Sequence, residues 1–160
     1  MRTNAWNGAL AGIAGGIVFG IMMQIMTAPT PEGGRMPMMA MVAAVVRSDS
    51  IFVGWVYHLF NSALIGALFG LFFGSRVTSG GAGLGWGAAW GAVWWVIGGL
   101  LLMPVLLGMP PLAPLQMAPM RPVAIGSLVG HVIYGLITGL VFSRLHAGKQ
   151  GSPATATRSA

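Results

Sequence analysis

Long apolar runs dominate the chain. Residues 3–31, 50–75, 77–120 and 122–143 contain no Asp, Glu, Lys or Arg. A helix that crosses a bilayer needs about 20 apolar residues, so the runs predict spans over residues 5–27, 50–73, 82–103 and 123–142. The third run exceeds one helix. Pro104, Pro110, Pro111, Pro114 and Pro119 interrupt its second half, which predicts a proline-rich loop over residues 104–122. Residues 28–50 read as a loop. Within it, residues 36–47 have the composition of a short helix, too short to span, that lies at the surface or dips in.

A second pattern runs inside the first. Gly8, Gly12, Gly16 and Gly20 fall on one face of the first span. The second carries Gly54, His58, Ser62, Gly66, Gly70 and Gly74; the third Gly83, Gly87, Gly91 and Gly99, with Trp95 in the gap. The fourth carries Ser127, His131, Gly135, Gly139 and Ser143. Lipid gives helices no hydrophobic reason to associate, so small residues at four-residue spacing matter because they let backbones touch. Gly12, Gly16, Gly66, Gly70, Gly87, Gly91, Gly135 and Gly139 are the expected packing positions.

The two halves align. Gly12, Gly16 and Pro29 match Gly87, Gly91 and Pro104 at one offset; His58, Ser62 and Gly66 match His131, Gly135 and Gly139 after a short slip. Each half is a helix, a Pro/Met loop, an Arg (Arg47, Arg121) and a helix with a stripe histidine. The order predicts a duplication, with one repeat over about residues 5–75 and the other over about 82–144. The expected fold is all-α: an integral membrane bundle of four transmembrane helices from two tandem two-helix repeats, in one domain over residues 1–145. A polar, disordered tail would follow over 146–160.

Composition agrees with a lipid solvent. Of 160 residues, 56% are hydrophobic and 6% charged, against roughly 25% charged in an ordinary soluble domain. The net charge of +6 comes from basic residues flanking the spans, with no basic patch interleaved with stacking aromatics, so nucleic acid is set aside. Arg2, Arg76, Arg144, Lys149 and Arg158 fall on one side of the predicted membrane; Arg35, Arg47 and Arg121 on the other, offset by Glu32 and Asp49. That bias predicts a multi-pass protein of the plasma (inner) membrane with both termini cytoplasmic. Residues 1–28 resemble a signal peptide, but Met26 is too large for a cleavage site and the segment belongs to the repeat, so cleavage is not expected. Cysteine is absent, which removes thiolate nucleophiles and thiolate metal sites.

His58 and His131 carry the chemistry. Each is a polar side chain inside a span, roughly 10–12 Å from the outer end at 1.5 Å per residue. Three readings stand. The imidazoles can be interhelical glue, bonded to Asn61, Ser62, Ser127 or Thr138. They can be bis-histidine ligands of haem b, with Arg47 and Arg121 toward the propionates. Or they can line a transport or copper path, joined by Met36, Met38, Met39 and Met41, because thioether and imidazole suit Cu(I). The methionines also read as flexible gap-fillers and the arginines as interface anchors. Glu32 and Asp49 are the only acids and lie in the first loop, so no intramembrane carboxylate pair exists for general acid–base work. Ser62 or Ser127 beside a histidine lacks the third member of a triad. No catalytic residue is assigned.

Gly54, Trp55 and His58 form a GWxxH segment, and Gly130, His131, Tyr134, Gly135 and Gly139 a GHxxYGxxxG segment. In these the chain resembles a loose group of small prokaryotic four-span membrane proteins. The resemblance covers most of residues 8–142 and implies the four-span fold, without an activity. The sequence thus reads as a non-enzymatic transport-type protein or an accessory subunit, centred on His58 and His131. Its partners would be the bilayer and further copies or other membrane subunits, since four helices alone enclose little room for a pore.

Overall fold

The computed structural model describes residues 2–30 and 33–150. Among the described residues, four helices are long and apolar enough to cross a membrane, within an all-α bundle. The architecture is that of a small polytopic membrane protein.

Helix α1 (Arg2–Ile25) leads into a two-stranded hairpin, β1 (Thr27–Pro29) and β2 (Arg35–Pro37), paired antiparallel with Ala28 opposite Met36. Helix α2 (Met38–Val45) is next, then α3 (Ile51–Phe73). Helix α4 (Gly80–Trp94) begins at Ser79, whose hydroxyl accepts from the Ala82 amide and caps the first turn. It then widens into a π-helical segment, Trp95–Leu102, and ends as α5 (Met103–Leu106). Helix α6 (Ala113–Gln116) and a 3-10 turn (Ala118–Met120) precede α7 (Arg121–Gln150).

Two expectations shift and a third narrows. The first loop is not irregular: Arg35 reaches back to Thr27, its Nε donating to the hydroxyl at 2.8 Å, and the hairpin is ordered. The short helix, expected at the surface or dipping in, takes the inward placement. Met38, Met39, Val42 and Ala43 of α2 are buried, and Gly54 of α3 packs against Met39 and Ala43. The fourth span does not stop near residue 142. Helix α7 continues through residues 146–150, where a polar tail was expected, and residues 151–160 lie outside the described residues, as does Glu32.

Pro104 explains the third span's irregular end. A proline inside a helix has no N–H for the carbonyl four residues back, and its ring crowds that carbonyl. Here that group is Leu100 O. It accepts instead from the Leu112 amide at 2.8 Å. The loop thus satisfies what the proline leaves open, and the span runs on to Leu106 rather than ending near residue 103.

Glycines set the helix pairing. A Cβ on Gly8 or Gly12 of α1 would collide with the carbonyls of Gly66 or Ser62 on α3. A Cβ on Gly83 or Gly87 of α4 would collide with those of Gly139 or Gly135 on α7. The backbones of α1 with α3, and of α4 with α7, are therefore in direct contact. The two pairs join through α1 and α7: Gly15 meets Tyr134 and Thr138, and Gly130 meets the Phe19 ring. Asn7 Nδ2 donates to Leu145 O at 3.4 Å, which places the start of α1 beside the end of α7.

The outer helices α3 and α4 meet only toward that same end. Phe69, Phe72 and Phe73 pack against Trp90 there, Phe73 stacks on Trp86, and Trp90 Nε1 donates to Ile65 O at 3.2 Å. Beyond this aromatic bridge the two diverge and leave a cleft.

Candidate functional site

The cleft has a volume of about 230 Å³. Its back wall is Phe19 and Met23 of α1 with Ser127, His131 and Tyr134 of α7. One side is α3, through Tyr57, His58, Asn61 and Ser62; the other is the π-helical segment, through Gly98, Gly99 and Leu102. Met38 and Val42 of α2 close one end. Leu64, Leu102 and Leu106 also line it and are exposed apolar side chains.

His58 is 8% exposed, and its Nε2 lies 2.8 Å from Gly16 O. A carbonyl only accepts, so Nε2 carries the proton; in the neutral ring Nδ1 then keeps a lone pair. His131 is arranged the other way. Its Nδ1 lies 2.8 Å from Ser127 O, so Nδ1 carries the proton and Nε2 keeps the lone pair. The Ser127 hydroxyl sits 3.3 Å from the same Nδ1. The histidines thus occupy opposite tautomers, each fixed by one backbone carbonyl.

Neither remaining lone pair has a hydrogen-bond partner among the described residues. The Phe19 ring lies edge-on to both imidazoles, at 5.7 Å from His58 and 4.7 Å from His131. The Cε1–Nε2 edge of His131 faces Gly98 and Gly99 across the helix interface. A Cβ at Gly99 would stand 3.5 Å from His131 Cε1, in ordinary contact with the ring edge. Trp94 adds a third polar group. Its indole N–H is buried, lacks an acceptor among the described residues, and belongs to a cleft-lining side chain.

The sequence-derived candidates separate into groups. His58 and His131 share the cleft. Of the expected histidine partners, Ser127 is found, whereas His58 bonds Gly16 and the Ser62 hydroxyl turns back to His58 O at 2.8 Å. Arg47 and Arg121 are exposed and outside the cleft lining; Arg121 Nε donates to Leu115 O at 3.2 Å. Met39 is fully buried in the core and Met36 lies in β2. Met38 reaches the cleft, joined there by Met23 and Met103 rather than by its sequence neighbours.

Three contributors have no strong signature in the chain. Phe19 and Trp94 look like ordinary members of apolar spans, and Asn61, expected as a histidine partner, lines the cleft without bonding either imidazole. Tyr134 lies within the GHxxYG segment, and its hydroxyl donates to Ser62 O at 2.8 Å, tying α7 to α3 behind the histidines. The π-helical segment is the fourth element missed. Its signal was Pro104 placed shortly after a Gly98, Gly99 pair. Such segments are rare and recur at functional sites.

No protein-family model, curated protein or solved structure matches the chain.

Proposed function

We propose that this chain is a non-enzymatic, transport-type membrane protein whose cargo site is the cleft between the two hairpins. One observation carries the reading. Two imidazoles in one cavity each hold a proton on a backbone carbonyl, and each keep a lone pair with no partner among the described residues. A histidine that serves only as glue bonds a neighbouring helix, as His58 does, whereas His131 bonds its own helix. Here one nitrogen positions the ring and the other is held in reserve, as in ligand-binding histidines.

Haem b suits this donor set poorly. His58 Nε2 is committed to Gly16, Phe19 packs on both rings, and Arg47 and Arg121 lie away from the cleft. The duplication supports a transport reading, since repeats related about the membrane normal place a site at their interface. Equal spacing supports the duplication itself: Gly8 opposes Gly66 as Gly83 opposes Gly139, and Gly12 opposes Ser62 as Gly87 opposes Gly135. The termini are assigned to the cytoplasmic side of the inner membrane, on the strength of the basic residues around them. Assembly with further copies or other membrane subunits completes the proposal.

The absence of native cysteine makes a clean test. Asn61 lines the cleft, and its neighbour Phe60 is 64% exposed on the lipid-facing side. In proteoliposomes, a charged thiol reagent should label Asn61→Cys and spare Phe60→Cys. Equal inertness of both positions from both sides of the membrane would contradict a cargo site in the cleft.

A further inference from the structure

A second, smaller cavity adjoins the cleft. It measures about 30 Å³ and is lined by five methionines: Met38, Met41, Met103, Met109 and Met120. These come from both halves of the chain, so the fold gathers side chains that are more than 60 residues apart in sequence. Met38, Met103, Gly99 and Ser127 line both cavities, which makes them neighbours across a shared wall.

A cavity needs about 10–15 Å³ to hold one water, and the water needs two to four polar partners. Size is met, but partners are not. Of the two polar side chains in the lining, Trp95 is engaged and Ser127 offers a single hydroxyl. Ser127 Oγ lies against His131 Nδ1, and Trp95 Nε1 donates to Ala124 O at 3.1 Å. The rest of the lining is Pro, Leu, Val, Ala and Gly. What remains for a guest is thioether sulfur.

We infer that the five-methionine cavity binds a soft monovalent metal ion, Cu(I), and hands it to His131 Nε2 in the cleft. This deepens the transport reading, on which it rests, by naming the cargo. Thioethers select Cu(I) over harder cations. Neutral donors also favour a monovalent ion, because desolvating a charge in a low-dielectric site costs steeply more as the charge rises. Among the described residues, no Asp or Glu lines either cavity to compensate a divalent one. His131 is prepared as an acceptor: its Nδ1–H on Ser127 O is the arrangement that orients a metal-ligating imidazole and leaves Nε2 as the donor. The metal set therefore differs from the one expected within residues 36–41. Met38 and Met41 remain, Met36 and Met39 do not; the end of the third span supplies Met103, and the loop after it Met109 and Met120.

The test is a titration of the purified full-length protein with Cu(I), held reduced by ascorbate, against the chromophoric competitor bicinchoninate. One Cu(I) should bind per chain. Met103→Leu and Met120→Leu keep side-chain volume while removing sulfur, and each should weaken Cu(I) binding roughly ten-fold or more. Met22→Leu and Met117→Leu, outside the lining, should leave it unchanged. X-ray absorption on the wild-type complex should report a sulfur shell, which keeps the test decisive should a variant fail to fold. Three results would each overturn the inference: no retained Cu(I), a nitrogen-only shell, or Zn(II) binding as tight as Cu(I). None of these would alter the cysteine-labelling outcome, which tests the cleft as a cargo site separately.

Discussion

The two hairpins start alike and end differently. In both, glycine faces bring helix backbones into contact, and the opposed positions keep the same spacing from one hairpin to the other. The difference begins at Gly16 and its counterpart Gly91. In the first hairpin α1 stays regular, and Gly16 O accepts the His58 proton across the helix interface. In the second, the helix widens at Trp95, four residues beyond Gly91, and His131 bonds its own helix at Ser127. One histidine therefore staples its hairpin, while the other presents an edge to the cleft.

Proline placement is the cause. Pro29 sits in a strand after α1 has ended, where the missing N–H costs no helix bond. Pro104 sits inside the third span and forces the wider turn ahead of it. The glycine register fixes which helices pair, and the position of the proline beyond it decides where the bundle opens.

The strongest challenge to the shared register is overpacking. Gly66→Leu and Gly139→Leu each drive a side chain into an opposing backbone that has nowhere to move. Each should cost about 1–3 kcal/mol or more, seen as loss of a monodisperse, cooperatively melting protein. Tolerance in one hairpin alone would break the parallel.

Pro104→Ala comes next. Restoring an N–H should let Leu100 O regain a helical partner, narrow the π-helical segment and bring it toward α3. Thiol labelling at Asn61→Cys should slow several-fold. An unchanged rate would mean that the proline does not hold the cleft open.

A smaller effect separates the histidines. His58→Phe removes an interhelical hydrogen bond, worth about 0.6 kcal/mol in membrane bundles, whereas His131→Phe removes only a bond within α7. The melting temperature should fall further for His58→Phe. A larger fall for His131→Phe would reverse their assigned roles.

The smallest effect belongs to glycines on one helix. Gly85 has open space where a side chain would go, while a Cβ on Gly87 would stand 2.9 Å from the Gly135 carbonyl carbon. Gly85→Ala should leave melting unchanged or slightly raised, since alanine is the better helix former. Gly87→Ala should lower it.

Much of the fold was legible because two local signals agreed. Charge-free runs marked the spans, and four-residue glycine spacing marked the faces that meet. Both depend on residues close in sequence. The site was half legible. His58 and His131 stood out because a polar group in a span is conspicuous, but their contrasting carbonyl partners depend on helix geometry that spacing does not encode. The methionines show the limit most clearly. Residues 36–41 looked like a cluster by proximity, yet helical geometry turns Met39 into the core and sends Met38 and Met41 to meet Met103, Met109 and Met120. Arg47 and Arg121 were grouped with the histidines by matched sequence distance, and the fold holds both outside the cleft.

The contrast between the histidines is open to direct observation. The chain has only three histidines, His58, His131 and His146, so ¹⁵N spectra of histidine-labelled protein can be assigned by single substitutions. Opposite neutral tautomers are expected: His58 protonated at Nε2 and His131 at Nδ1. Finding the same tautomer at both positions would contradict the claim that one histidine fastens its hairpin while the other keeps Nε2 free for cargo.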